Sequence, residues 1–590
     1  MGYDANLQAM SRTPVTLVHI PQTWCANVFG VAPCTATGEP CYNTLHTCKA
    51  RLAYAATTRV DVFCSANAPV PFPGPRPLVQ SVSYLPTEIT DNVTVSGRIK
   101  VVFIDEPDGD VGIDPYVTQR ALFPNIPGTY WRKRLARNPA YKGQMMEIRE
   151  GFLGDPLEEF RLRAMAPLEL VSISKTSVTV STVDLLKGLG EIETPKKLGI
   201  KLLSDLSAEA VEMILSDTVD VAVFPSSGEI RIDEEIISYA GFNLAQRLLS
   251  GCTRGTRGTE AAVHSGQSVV QICRYFPPGN PFDHLKVILL QDAGYDPALV
   301  DSAAFDYWRD WPGGEVVMTA FLSEPTKLSE LFLGRKSKTA LVGSSGPQDS
   351  FGLVDLLDCK AWVAEGLQIT IARNIPNAPG RQYREISDAA TVVASSTSVD
   401  MHEVSRITRV VLYWDKALFG KDDDPTSYGR RDIAVNADAE SEYGDIIEER
   451  IFCRWLKSGI MQEEVLSAYI SDLLLRRLFG RYDAAPVITL ATELKDSDIS
   501  TGQYVICTTD ELLNVDGTPV TTRFQVIRRD FQAGKPQLKI QRIPVRRSAF
   551  YAQEGVTEYA DPSPAQREYG GFYMDEQGRM PNGDDGFYYY

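Results

Sequence analysis

Four cysteines, Cys25, Cys34, Cys41 and Cys48, stand within twenty-four residues near the start of this chain, which holds only ten in 590 residues. Between them lie turn formers: Asn27, Gly30, Pro33, Gly38, Pro40 and Asn43. A segment of that composition has little apolar material to bury, so a core can do little to organise it. Four arrangements of the thiols compete. Two disulfides suit small secreted domains, but the N-terminal stretch MGYDANLQAMSRTPVTLVHI has no basic region followed by an apolar core, and apolar sequence is ample elsewhere. Four separate buried thiols would need apolar surroundings that the segment lacks. Structural zinc takes ligands paired as C-x2–4-C, tighter than the x8, x6 and x6 gaps found here. A [4Fe–4S] cluster takes one thiolate at each of four separated corners, a geometry that longer loops suit. Spacing alone leaves the choice open.

The length exceeds what one core supports and suggests roughly four domains. Hydrophobic residues make up 44% and charged residues 23%, the balance of a globular protein. No run of eighteen apolar residues occurs, so no membrane span is expected. The chain begins Met-Gly, but Asn6 occupies the position where a myristoylation signal has Ser or Thr. Synthesis in the cytosol without use of the secretion machinery is expected. The net charge of -17 repels phosphate backbones and argues against nucleic acid as a general partner. The five histidines (His19, His46, His264, His284 and His402) are scattered, which argues against a multi-histidine catalytic centre.

The expected organisation is multidomain α+β, rich in β structure. Residues 1–80 form a Cys-rich unit that closes on the Pro-rich stretch APVPFPGPRPL, read as a linker. Residues 81–195 carry strand-like runs such as Lys100–Ile104 around the segment GIDPYVTQRALFPNIPGTYWRKRLARNPAYKGQ, and read as a β-barrel or sandwich with one helical excursion. Residues 196–275 read as a small inserted β module, with two strands about a Ser-Ser-Gly turn. Residues 276–440 mix helix and strand. They include a helix over 284–295 with Asp283 as its N-cap, a helix after Ser323, a strand pair over 362–374 and a strand over 406–417. Residues 441–545 open on the longest helical signal, SEYGDIIEERIFCRWLKSGI followed by QEEVLSAYISDLLLRRLFGRY. The second piece places Val465, Leu466, Tyr469, Ile470, Leu473 and Leu474 on one face and stops at Gly480. The Tyr- and Gly-rich residues 546–590 read as an extended tail.

The order of these segments carries a resemblance. The x8 gap from Cys25 to Cys34 and the x6 gap from Cys41 to Cys48 are similar to the cysteine pattern of the iron–sulfur tail-tip protein L of phage lambda. Here the gap between the pairs is shorter, and the quartet stands at the start of the chain instead of towards its end. GIDPYVTQRALFPNIPGTYWRKRLARNPAYKGQMMEIREGFLG resembles the first β-domain of siphophage tail-tip (baseplate) hub proteins. GEIRIDEEIISYAGF…GCTRGTRGTEAAVHSGQSVVQ resembles a small module of tail and baseplate proteins. RVVLYWDKA, DIIEERIFCRWL and RLFGRYDAAPVITLATELKDSDISTGQYVICTT resemble the later hub domains. The resemblance implies tail-hub β-barrel or sandwich domains, a non-enzymatic structural role, and a [4Fe–4S] cluster on Cys25, Cys34, Cys41 and Cys48 acting as a structural staple. It further implies a homotrimeric ring at the distal end of the tail tube. The expected partners are a distal tail protein, a tape-measure protein and a central fibre or receptor-binding proteins, with DNA only in transit. The location implied is the virion tail tip, and the host cytoplasm during assembly. A zinc-stabilised tail component and an iron–sulfur redox enzyme are the alternatives; the latter lacks any G-x-G-x-x-G site for a second cofactor.

Other motifs are weighed against ordinary structure. TRGTRGT, residues 253–259, has the composition of an anion nest but is expected to be a hairpin loop, with His264 structural behind it. Asp105, Asp108, Asp110 and Asp114 do not follow EF-hand spacing and are expected to form a solvated acidic loop, as is KDDDP at 421–425. Cys64 is the spare ligand should one of the four fail. Cys252, Cys273, Cys359, Cys453 and Cys507 are expected in the core. No H-E-x-x-H, G-x-S-x-G or P-loop occurs, and the pair Glu158 and Glu159 reads as surface charge.

Overall fold

A computed structural model describes residues 13–542, with Tyr3 and Asn6, apart from 66–73, 86–87, 90–93, 96–97, 217–223, 311–315, 336–347, 365–366, 374–382, 402–405, 480–485, 497 and 533–534. Gly480, His402 and the tail 546–590 lie outside the described residues.

Seven strands close a barrel: β1 (Pro14–Cys25), β2 (Ala56–Ser65), β3 (Arg76–Leu85), β4 (Arg98–Ile104), β5 (Met145–Phe152), β6 (Arg161–Ile173) and β7 (Ser177–Thr182). Their order round the barrel is β1-β2-β3-β4-β7-β6-β5, and all neighbours are antiparallel except β2 and β3. Alternate residues of these strands, among them Val18, Ile20, Phe63, Val101, Phe103, Ile148 and Val180, fill the interior. The expected boundary at residue 80 therefore does not divide the chain. β1, β2 and β3 are staves of the same barrel as 98–182, because each meets a partner distant in sequence. Between β4 and β5 the chain forms helix α1 (Tyr130–Arg137), which plugs the barrel. Its Trp131 is buried and lies 4.6 Å from the Phe103 ring and 5.6 Å from the Phe63 ring, centroid to centroid. The Thr129 side chain does not cap α1. Instead the buried carboxylate of Asp105, at the end of β4, accepts from the Trp131 N–H at 3.1 Å and the Thr129 hydroxyl at 2.8 Å. That placement sets negative charge against the helix's positive end.

Residues 198–270 have their own core, built on Leu198, Ile200, Leu215, Ile230, Ile237 and Val270 between two three-stranded sheets. The described hairpin turns at Asp233–Glu234, while the stretch 217–223, expected as the strand before the Ser-Ser-Gly turn, lies outside the described residues. Gly228–Ile232 pairs with Glu235–Tyr239, and Asp233 takes the left-handed conformation the tight turn needs.

The next unit centres on a five-stranded sheet ordered Gly334–Arg335, Gln348–Phe351, Glu448–Phe452, Arg409–Lys416, Tyr428–Val435. Helix α2 (Glu463–Phe479) packs against the last two strands and buries Leu466, Ile470, Leu473 and Leu474, while Val465 is exposed. Three expectations change here. SEYGDIIEERIF is not one helix: Ala437–Tyr443 is helical, Gly444 ends it in the left-handed region, and Glu448–Phe452 is a strand. Its Glu449 is fully buried because Arg477 of α2 grips it through two hydrogen bonds of 2.9 and 2.8 Å. That strand and α2 share one core with residues 282–414, so residue 441 is not a boundary. The helix expected over 284–295 begins at Pro281 with Asn280 as N-cap, its side chain accepting from the Phe282 N–H, and passes into a π-helical turn over Ile288–Asp292. A six-stranded sheet built from Arg384–Ser387, Ser398–Asp400 and four strands between Val487 and Arg542 completes the described chain. Among the described residues no helix is long and apolar enough to cross a membrane.

Candidate metal centre

β1 and β2 pair down to Cys25 opposite Ala56, so residues 26–55 form one long loop leaving the barrel rim between adjacent staves. It has almost no regular structure beyond a single turn at Arg51–Ala53. Loops of that length in compact domains are functional or disordered as a rule. This one is held by specific bonds. The Cys25 N–H donates to the Asn43 carbonyl and the Ala26 N–H to the Ala55 carbonyl, each at 2.8 Å. The Cys34 N–H donates to the Val31 carbonyl and the Cys48 N–H to the Leu45 carbonyl, so each of these cysteines closes a turn. Gly30, Gly38 and Asn43 supply the positive φ angles that let the chain wrap back on itself.

The wrapping brings the Cys41 thiol within electrostatic reach of the other three. Burial raises the pKa of the Cys41 thiol, a hydrogen bond involving Asn43 opposes the rise, and the neighbouring thiols of Cys48, Cys34 and Cys25 add to it. Cys25, Cys34 and Cys41 are buried and Cys48 is half-buried. None of the ten cysteines is in a disulfide. Among the described residues no three His, Cys, Asp or Glu side chains stand close enough together to hold a single metal ion. Cys64 lies elsewhere, in a small apolar cluster with Val15, Leu17 and Phe160, and is not a spare ligand. Cys252, Cys359, Cys453 and Cys507 are buried in the other cores, and Cys273 is half-buried.

The barrel's excursion buttresses the loop. Tyr42, next to Cys41, has the Arg120 guanidinium 3.9 Å and the Arg137 guanidinium 4.0 Å from its ring centroid. Two planar cations at that distance cannot share one face, so the ring is held between them, in contacts worth about 0.5–2 kcal/mol each. Arg120 also donates to the Pro40 carbonyl at 2.7 Å and the Cys41 carbonyl at 3.1 Å. The Thr44 hydroxyl donates to the Arg137 carbonyl at 2.6 Å, and the Phe29 N–H to the Tyr116 hydroxyl at 2.8 Å. The aspartates of DEPDGDVGID hold these arginines in place. Asp114 takes Arg120 at 2.8 Å; Asp110 takes Arg137 at 2.6 Å and Lys133 at 2.8 Å; Asp108 takes Arg76 at 2.7 Å. Burial works against the Asp110 charge, yet hydrogen bonds from Arg137 and Lys133 hold its pKa below the usual carboxylate range. This is not the solvated acidic loop expected, since Asp105, Asp110 and Asp114 are buried. Their counter-ions come from α1 and from residue 120, at separations that sequence does not pair. In KDDDP, Asp422 is likewise paired, with Lys416 at 2.6 Å and Arg454 at 2.9 Å.

Replacing Arg120 with Ala is expected to leave the Cys41 and Pro40 carbonyls and the buried Asp114 short of partners, at a cost of about 2 kcal/mol. Hydrogen exchange of the 38–48 amides should quicken by about thirty-fold, with the barrel strands unaffected.

The TRGTRGT loop also resolves into internal chemistry. Its Arg254 makes two hydrogen bonds, 2.8 and 2.7 Å, to the buried carboxylate of Glu235, which also accepts from the N–H groups of Gly255 and Ala262 and from the His264 Nε2. The loop does collect donors about an anion, but the anion is the side chain of Glu235, at the start of the strand Glu235–Tyr239. Burial opposes that charge, yet the bonds from Arg254, Ala262, His264 and Gly255 bring the Glu235 pKa down to about 2. A depressed carboxylate stabilises the fold above its unfolded value, about 4.3, and loses that contribution as pH falls towards 2. Exchange protection of residues 255–264, corrected for intrinsic rates, should therefore fall between pH 4.5 and 2.5. Glu158 is exposed and Glu159 accepts from the Tyr3 N–H at 3.3 Å.

No protein-family model and no curated protein matches this chain. Among solved structures it is similar to the tail protein from Neisseria meningitidis MC58 (TM-score 0.34, 8% identity, covering 79% of this chain and 96% of that one). It is also similar to a prophage tail protein from Listeria monocytogenes EGD-e (TM-score 0.30, 8% identity, 78% and 88% covered). The 43 kDa tail protein of prophage MuSo2 from Shewanella oneidensis gives a TM-score of 0.30 at 9% identity, with 79% and 98% covered. Scores at this level do not define a shared fold.

Proposed function

We propose that this chain is a structural, non-catalytic hub subunit of a siphophage tail tip, stapled at its first domain by a [4Fe–4S] cluster on Cys25, Cys34, Cys41 and Cys48. One observation carries the reading: the four cysteines that match the tail-tip pattern stand on one loop at the barrel rim that has no core of its own and folds back to bond the Cys25 N–H to the Asn43 carbonyl, two residues from Cys41. A cube with one thiolate at each of four corners suits the x8, x6 and x6 gaps between these cysteines better than one tetrahedral zinc, which takes ligands paired at closer spacing. Bound there, the cluster would tie four points of the loop together and so supply folding energy that the segment cannot draw from apolar burial.

The remaining parts follow from the resemblance. Three copies would close a ring through heterologous contacts, in which one patch of a subunit meets a different patch of the next. The barrel and the later sheets would form the wall of the ring. The distal tail protein, the tape-measure protein and a central fibre or receptor-binding protein would occupy its faces, and DNA would pass without being held, in keeping with the charge of -17. Cryo-electron microscopy of intact particles tests this. The reading expects three copies of the chain at the tail tip; particles that lack the polypeptide, or carry it on the head, contradict it.

A further inference from the structure

We propose that Tyr54 is a positioning residue of the metal centre, its hydroxyl donating a hydrogen bond to a sulfur of the cluster; this rests on the iron–sulfur reading above. Tyr54 is bracketed by two tethers to the residues that follow the first cysteine. The Asn27 side chain donates to the Ala53 carbonyl at 2.6 Å, and the Ala26 N–H donates to the Ala55 carbonyl at 2.8 Å. The residue between those anchors is thereby fixed beside Cys25, and Cys25, Cys48 and Cys41 all lie near enough to act on its hydroxyl electrostatically. The hydroxyl oxygen is buried and makes no hydrogen bond of normal geometry. The Leu45 N–H is the backbone group that approaches it, and an N–H can only donate. The phenolic proton therefore has no acceptor among the described residues, although a buried hydroxyl without a partner costs about 1–3 kcal/mol. A cluster held by these cysteines places thiolate and sulfide sulfurs, which are acceptors, in the same neighbourhood. An O–H donated to such a sulfur stabilises the more negatively charged, reduced state, so it raises the reduction potential.

The test uses the full chain purified without oxygen, with iron and sulfide assayed alongside the potential. Tyr54→Phe removes the proton donor and keeps the ring. The expected result is an unchanged iron content with a midpoint potential more negative than that of the parent. Equal potentials in parent and variant overturn the role of Tyr54 while leaving the cluster standing. Absence of iron from the parent overturns the underlying reading instead. Should Tyr54→Phe fail to fold, 3-fluorotyrosine placed at residue 54 alone supplies a stronger donor with the ring intact. It is expected to shift the midpoint to more positive values, and an unmoved midpoint rejects the proposal.

Discussion

On the proposed cluster, replacing Cys41 with Ser is expected to abolish iron binding and to unfold residues 26–55, with the barrel strands remaining protected. The asymmetry follows from where each part finds its stability. β1 and β2 are held by ladder bonds and by Val18, Ile20 and Phe63 in the barrel interior. The loop between them contributes no side chain to that core and leaves Val28, Val31, Leu45 and Leu52 exposed. Structural metal centres contribute on the order of 10 kcal/mol to the segments they fold, far more than the Tyr42 contacts and backbone bonds supply. Iron analysis with hydrogen exchange of the 26–55 amides checks the result, and particle assembly should fail in parallel. Cys64→Ser is the control. Its thiol sits in the apolar cluster of Val15, Leu17 and Phe160, so iron should be retained in full.

Trp131→Ala is the second large effect. The indole is buried between the Phe63 and Phe103 rings at the plugged end of the barrel. Deleting a side chain of that size from a core costs about 3–5 kcal/mol. The loss should spread to the 26–55 loop, because α1 also carries Arg137, which holds Tyr42, and Lys133, which holds Asp110. Thermal unfolding should show a large drop in midpoint, and the loop amides should lose protection along with the strands. Tyr42→Leu, by contrast, should loosen the loop alone.

How much of this was legible beforehand depended on the range of the interaction. The cysteine quartet was legible because four thiols in a segment poor in apolar residues are conspicuous at short range. The 3.6-residue period of α2 was likewise local, and Leu466, Ile470, Leu473 and Leu474 are buried as read. The barrel's membership was not legible. β1 and β2 lie in the part that composition marks as a separate Cys-rich unit, yet pairing from Val18–Phe63 down to Cys25–Ala56 makes them one sheet. The stretch IIEERIF read as helix because Glu and Arg favour helices and no local signal announced a strand. Its alternating burial arises only once it pairs in parallel with Arg409–Lys416 and Glu449 meets Arg477. The aspartates from 105 to 114 illustrate the same limit. Their spacing suggested solvent, while their arginine partners at 120, 132 and 137 could be assigned only once the fold was known. The one signal available was RKRLAR, six residues with four cations, close after an acidic run.

The central claim is that four sulfurs of the barrel-rim loop hold an iron–sulfur cube. Quantifying iron, acid-labile sulfide and zinc in the full chain, purified under nitrogen, tests it most directly. The account predicts about four irons and four sulfides per chain, with broad absorbance near 400 nm that disappears in Cys41→Ser. One zinc per chain, or protein free of both metals with residues 26–55 still protected from exchange, would contradict it.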